Sequence, residues 1–272
     1  MDIFPSAVNT IINHQGVAAL SMKIQNLEYI DLAEKAIKAL ERISSESAIS
    51  VLNNANLDII LNMMDFFELD IQISIIKMVS NVCMNLNREE DMKKLLPILP
   101  ALTNFLEIRG TDNKHADIFG LMCSSFQYIC DTPLKFKDPY NNLSTISDLY
   151  KHINAYGLME KCYQFMFTAC NSSKFLEAEA IEENEDNTST VIISNMGKLI
   201  KIVSYLCKYS SDHCYNAITD MNMLKIIHLL LKREHSRNKA SMNFLHETLS
   251  LLSALIPDSR SYKSDTSEFA KN

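Results

Sequence analysis

The sequence has no tryptophan, only five glycines and only six prolines in 272 residues. So little turn-forming material cannot supply the many tight reversals of a sheet protein, and the wealth of Leu, Ile, Met, Ala, Lys and Glu favours helices. Five isolated glycines also form neither a phosphate-cradling loop nor a dinucleotide turn, so no nucleotide, cofactor or other small-molecule site is expected. Positive charge is scarce too. Lys and Arg number 26 against 33 Asp and Glu, a net charge of −7, which weighs against a nucleic-acid surface built on clustered cations. No apolar run approaches the roughly 20 residues that span a bilayer; Met223–Leu231 is broken by Lys225 and His228. Met1–Gly16 lacks the basic and apolar regions of a secretory signal. These absences point to the nucleus and/or cytoplasm, with no membrane partner.

Metal and nucleophile chemistry is equally short of material. The seven cysteines (Cys83, Cys123, Cys130, Cys162, Cys170, Cys207, Cys214) are odd in number and sit inside apolar helical patterns, where a free thiol behaves as a small core side chain. Cys123 to Cys130 and Cys207 to Cys214 each leave six residues between, outside zinc-ligand spacing, and no paired His completes either. His213 adjoins Cys214, but neighbours in a helix point about 100° apart and do not form a nucleophile and base. No catalytic, cofactor-binding or metal-binding residue is assigned.

What is present is helical periodicity. Ile30, Ala33, Ile37 and Leu40 follow a 3-4-3 pattern, with Asp31–Lys35 and Glu34–Lys38 as i,i+4 pairs on the other side, so residues 28 to 44 read as a helix. A short apolar helix follows at Leu57, Ile60, Leu61 and Met64, then a longer one from Ile71 to Leu86. Sliding the first long helix by 39 residues superposes Leu32, Ala36, Ile37, Ala39, Leu40 and Ile43 on Ile71, Ile75, Ile76, Met78, Val79 and Val82. A further shift of 43 places Ile75, Met78, Val79, Cys83 and Leu86 on Ile118, Leu121, Met122, Phe126 and Ile129. At an offset of 46, Leu199, Val203 and Leu206 meet Leu245, Leu249 and Leu252. A supersecondary unit recurring at such a period cannot bury its apolar face alone and must stack. The expected fold is therefore all-α, an armadillo/HEAT-like right-handed superhelical solenoid of stacked helical repeats over residues 1–257. An acidic loop is expected near 171–190, because Glu177–Asp186 holds six acidic residues in ten between polar flanks. The polar residues 258–272 beyond Pro257 read as a disordered tail.

The long helices also carry polar residues in register. At the offset of 39, Lys38 falls on Lys77 and Arg42 on Asn81, spaced i and i+4. An ordinary solvated face would look the same. Arg and Asn, however, also suit hydrogen bonding to the backbone and acidic groups of an extended peptide, so Lys38, Arg42, Lys77 and Asn81 are the candidate protein- or peptide-binding residues.

Residues 27–44, Leu-Glu-Tyr-Ile-Asp-Leu-Ala-Glu-Lys-Ala-Ile-Lys-Ala-Leu-Glu-Arg-Ile-Ser, closely resemble the armadillo-like region of the ubiquitin-fusion-degradation, thyroid-receptor-interacting and KAKTUS-type HECT ubiquitin ligases. Leu-Asn-Met-Met-Asp-Phe-Phe at 61–67, Val-Ser-Asn-Val-Cys at 79–83 and Leu-Pro-Ile-Leu-Pro-Ala-Leu-Thr-Asn-Phe-Leu at 96–106 continue the likeness. Asn53–Asn56 departs from it, standing where the family has a Gly-rich turn. The resemblance implies a region that recruits protein substrates or degron peptides, with ubiquitin itself a further candidate partner, for a ligase domain elsewhere. No counterpart of that HECT domain and no Thr-Cys dipeptide occurs in these residues, so they are expected to bind rather than to transfer ubiquitin. The alternative is an importin-like armadillo adaptor or interaction scaffold. Importin grooves set Trp beside their Asn residues, and this chain has none.

Overall fold

The computed structural model describes residues 5–109, 116–135, 143–171, 187–232 and 239–256, all of whose regular structure is helical. The fold is an all-α helical solenoid, and it divides into two compact units, Met1–Lys161 and Cys162–Asn272.

The first unit opens with α1 (Pro5–Asn13) and α2 (Gly16–Ile24), then a 3-10 turn at Leu27–Tyr29 leading into α3 (Ile30–Asn54). Gly16 is required where α1 meets α2, since a Cβ there would fall against the Ile11 side chain and 2.8 Å from its carbonyl oxygen. The long helix α3 is two helices joined at a kink. Ser47 leaves helical geometry at φ −145° and ψ 67°, and its hydroxyl bonds that of Ser50 at 2.7 Å, a serine side chain bridging the first turn of a new helix. The chain thus runs on past the expected end at Ser44, breaks, and adds a short helix to Asn54. The Asn-rich corner that replaces the expected Gly-rich turn closes by side-chain bonds: Asn54 Nδ2 donates to the Ser50 carbonyl at 2.8 Å, and the Asn56 amide donates to Ser21 Oγ at 3.0 Å.

After the corner come α4 (Leu57–Asn62), α5 (Leu69–Met84), α6 (Glu89–Leu95), α7 (Leu99–Arg109) and α8 (Ala116–Asp131), followed by α9 (Leu143–Ile153) and the first residues of α10 (Leu158–Cys170), whose part from Cys162 onward belongs to the second unit. The second half of α3, then α4 and α5, make one three-helix repeat, and α6, α7 and α8 make the next. The long helices stack, α3 on α5 and α5 on α8, and the short α2 packs on α3. The superposed stripes are the buried seams, with Ile37, Leu40 and Ile43 of α3, Ile75, Val79 and Val82 of α5, and Ile118, Met122 and Phe126 of α8 all at most 1% exposed. Leu32 departs furthest, lying 47% exposed at the start of α3 although its counterpart Ile71 is buried, and Ala39 and Leu121 are half-buried. Two polar contacts set the register. Lys38 of α3 reaches Asp70 at the start of α5, and Ser44 farther along α3 meets Asn81 farther along α5, so the two helices run parallel.

One buried charge shapes the next repeat. Asp91, in the first turn of α6, is 1% exposed and held by a two-pronged contact from Arg88, Nε at 2.9 Å and a terminal guanidinium nitrogen at 3.1 Å. The same carboxylate raises the guanidinium's affinity for its proton, and its place near a helix N-terminus favours negative charge. At the far end of α8, fully buried Tyr150 of α9 donates its hydroxyl to the Cys130 carbonyl at 2.6 Å, satisfying a helix-terminal acceptor.

The second unit contains α11 (Asn187–Tyr209), α12 (Ser211–Thr219), α13 (Met223–Lys232) and α14 (Lys239–Leu255). Here α11 packs on α14, and Ser204 Oγ lies 3.5 Å from Ser250 Oγ, a separation of 46 residues that reproduces the register of the leucine match. Ser210 caps α12 by accepting from the His213 amide, and Asn222 takes the left-handed conformation (φ 49°) before α13, a conformation Asn tolerates. Residues 187–190, expected within the acidic loop, form the first turn of α11, where Asn, Thr and Ser are favoured. Residues 172–186 and the expected tail at 258–272 lie outside the described residues.

The buried polar atoms yield one stability prediction. Thr103 in α7 is fully buried and its hydroxyl has no hydrogen-bond partner. Thr103→Val keeps the branched shape and removes an unsatisfied donor, so it is expected to raise stability by about 1 kcal/mol, read as a higher midpoint in urea unfolding.

Candidate peptide-binding face of the third helices

The exposed sides of α3 and α5 form two adjacent polar stripes. On α3 these are Asp31, Lys35, Lys38 and Arg42, spaced i, i+4, i+7 and i+11, and all are exposed; on α5 they are Asp70, Lys77 and Asn81, spaced i, i+7 and i+11. The parallel stacking brings all four sequence-predicted residues onto one face. Their environments differ. Lys38 donates from Nζ to Asp70 Oδ2 at 3.0 Å, and that hydrogen bond holds the Asp70 carboxyl below its usual range. With side-chain exposures of 54% and 62%, the pair orients the two side chains more than it stabilises the fold. Asn81 is half-buried and donates from Nδ2 to Ser44 Oγ at 2.9 Å, while Ser44 donates to the Glu41 carbonyl at 2.6 Å. Its amide therefore ties α5 to α3. Arg42 and Lys77 are exposed.

Sequence reasoning missed Asp70 and Ser44, because each acts across the helix stack rather than along its own helix. It also missed the third stripe. On α8 the positions 43 residues after Lys77 and Asn81 are Gly120 and Ser124, whose hydroxyl turns back to the Gly120 carbonyl at 2.9 Å. Across α3 and α5 the stripes hold Lys35, Lys38, Arg42 and Lys77 against Asp31 and Asp70, a net positive balance, whereas on α8 the same stripe presents exposed Asp117 and then the small Gly120 and Ser124. At the other end, an open depression at the start of α3 is lined by Glu28, Tyr29, Ile30, Asp31, Leu32 and Lys35, with Tyr29, Ile30 and Leu32 all exposed. Such an arrangement can take an extended chain. The depression has room for an apolar side chain, and the Arg42 and Lys77 cations can meet carboxylates or backbone carbonyls.

No group of three or more His, Cys, Asp or Glu among the described residues is placed to hold a metal ion, and none of their helices is long and apolar enough to cross a membrane. Six cysteines are buried and Cys214 is half-buried. Burial pushes the Cys83 thiol upward, and burial together with the nearby Cys214 pushes Cys207 up to about 12. A raised value keeps a thiol protonated and poorly nucleophilic. Alkylation of the native protein at mildly alkaline pH is therefore expected to label Cys214 first, with Cys83 and Cys207 reacting only on unfolding; mass spectrometry of the digested adducts reads the order.

Residues 1–53 match the family described as E3 ubiquitin-protein ligase TRIP12-like, TPR repeats. E3 ubiquitin-protein ligase UPL4 of Arabidopsis thaliana is 31% identical over 114 residues, which are 41% of this chain and 8% of that protein. Ubiquitin fusion degradation protein 4 of Saccharomyces cerevisiae is 23% identical over 191 residues, or 68% of this chain and 12% of that protein. The chain is related to these ubiquitin-ligase and ubiquitin-fusion-degradation proteins. It spans only about a tenth of the length of these relatives, and the likeness to the ligases lies in helical repeats. Among solved structures, an engineered protein superposes with a TM-score of 0.61 at 13% identity, covering 93% of this chain and 84% of that one. A second engineered protein gives a TM-score of 0.52 at 11% identity, over 92% and 60%. Identities this low establish the shared helical fold alone.

Proposed function

We propose that this chain is the substrate-recognition module of a HECT-type ubiquitin ligase, holding protein substrates or degron peptides for ubiquitination without catalysing the transfer itself. The observation that carries the reading is the cationic face of α3 and α5, built on stacked third helices in a chain whose relatives are ubiquitin ligases. One relative is named for the degradation of ubiquitin fusions, so a substrate bearing an in-line ubiquitin is the first ligand to try. The face supplies proximity: a substrate held there presents its lysines to a ligase domain, and the gain comes from positioning rather than bond-making. The reading assigns the nucleus and cytoplasm, where ubiquitin ligation operates, as its compartments.

The test has two arms. Purified chain is titrated with an in-line ubiquitin fusion protein and, separately, incubated with activating and conjugating enzymes under conditions that trap thioesters. Saturable binding of the fusion with no thioester on the chain is the expected result. A trapped thioester, or binding confined to basic localisation peptides, would overturn the proposal; the second outcome would favour a transport adaptor.

A further inference from the structure

The depression at the start of α3 and the cations farther along that helix lie on one track. Asp31 and Lys35 belong both to the lining of the depression and to the α3 stripe, so the two features share a side of the helix. Tyr29, Ile30 and Leu32, all exposed, give the depression its apolar walls. The two contacts between α3 and α5 fix where Lys77 stands. Lys38 meets Asp70 and Ser44 meets Asn81, so interpolation along two parallel helices sets Lys77 level with roughly residue 42 of α3. Arg42 and Lys77 therefore stand side by side, one interhelical spacing of about 8–10 Å apart. From Leu32 to Arg42 the helix rises about 15 Å, at 1.5 Å per residue. An extended chain advances about 3.3 Å per residue and turns alternate side chains to the same face, so its residues i and i+4 span about 13 Å on one side. That span carries a ligand from the depression to the reach of the two cations.

We infer, resting on the recognition role proposed above, that this face selects an extended acidic segment by spacing. A bulky apolar side chain enters the depression, a carboxylate two residues on meets Lys35, and a second carboxylate four residues on sits between Arg42 and Lys77. Charge favours an acidic occupant. Asp70 is engaged by Lys38, and Glu34 and Glu41 are half-buried on the flank of α3, so Lys35, Arg42 and Lys77 are the charges that stand out into solvent beyond Asp31. On a chain of net charge −7, such a stretch is where a ligand carboxylate is drawn. Apolar contact and charge are both needed, since exposed cations alone attract any acid and discriminate little. A helical ligand would need ten residues for the same rise, and that difference separates the two conformations experimentally.

The test is fluorescence polarisation of the full chain with labelled Gly/Ser-based peptides of equal length and charge, each made in both chain directions. The first carries Leu with Glu at i+2 and i+4, the second Leu with Glu at i+8 and i+10, and the third replaces the Leu of the first by Ser. The first is expected to bind saturably, at least about tenfold tighter than either of the others. Leu32→Ser, at an exposed position, is expected to weaken the first peptide by a similar factor with helix content unchanged, yet to cost the third peptide nothing further, the non-additivity that marks a direct contact. Equal affinity at both spacings, tighter binding at the longer spacing, or full additivity overturns the inference. So does a lack of peptide binding while an in-line ubiquitin fusion still binds, an outcome that leaves the recognition role standing; loss of both removes that role as well.

Discussion

Phe126→Ala is expected to lower the unfolding free energy of the first unit by about 4 kcal/mol, the largest loss of any single truncation considered for this protein. Phe126 lies in the middle of α8 with no exposed surface, and α8 packs on both α5 and α7. Removing the ring forfeits the transfer free energy of a large aromatic side chain and leaves a cavity between helices held on several sides, which limits collapse. Stacked repeats also depend on their nearest neighbours, so loosening α8 weakens the cover over the buried seam of α5. Urea unfolding followed by circular dichroism reads the change. The control is Ser124→Ala, two residues earlier, which loses only a bond to its own helix at Gly120 and should stay within about 0.5 kcal/mol. A loss below about 1 kcal/mol for Phe126→Ala would mean that the third helices do not form a close-packed stack.

The stack was legible in the sequence because burial repeats with it. Most side chains that superpose at offsets of 39 and 43 lie in the buried seams, whereas the 46-residue match reappears as the contact between Ser204 and Ser250 but not as burial, since Leu199, Val203 and Leu206 are buried and Leu249 is 50% exposed. What the pattern did not show depends on neighbours outside it. Leu32 matches buried Ile71 in the alignment, yet it sits at the start of α3 beyond cover, because periodicity reports which face a residue takes and not how far its neighbour extends. Asp91 was not singled out in the sequence; its burial is made possible by Arg88 three residues earlier, which donates both hydrogen bonds to its carboxylate. The kink at Ser47 lies just beyond the helix expected over residues 28 to 44, and the continuation to Asn54 was not read from the sequence. The candidate face was half legible: spacing placed Lys38, Arg42, Lys77 and Asn81 on one side. It did not reveal that Lys38 is engaged by Asp70 and Asn81 by Ser44, since both partners lie on the neighbouring helix.

Those partnerships decide which substitutions test binding. Asn81→Ala would disturb the contact between α5 and α3, and Lys38→Ala would release Asp70, so a lost affinity in either would mix recognition with structure. Arg42 and Lys77 are exposed at the centre of the two adjacent stripes. Reversing both charges, Arg42→Glu with Lys77→Glu, turns the cationic centre of the face acidic while leaving the buried seams untouched. Affinity for an in-line ubiquitin fusion is expected to fall by about a hundredfold, because like charges now face the ligand's carboxylates as well as losing their own contacts. Because exposed charges are screened within about 10 Å at 0.1 M salt, wild-type affinity should itself weaken as salt rises, and the double variant should lose most of that dependence. Lys225→Glu on α13, an exposed lysine of the second unit, changes net charge in the same direction without touching the face. Equal losses in the two variants would reduce the effect to overall charge. Unchanged affinity in the double variant, with the fold intact, would return the stripe to the role of an ordinary solvated surface.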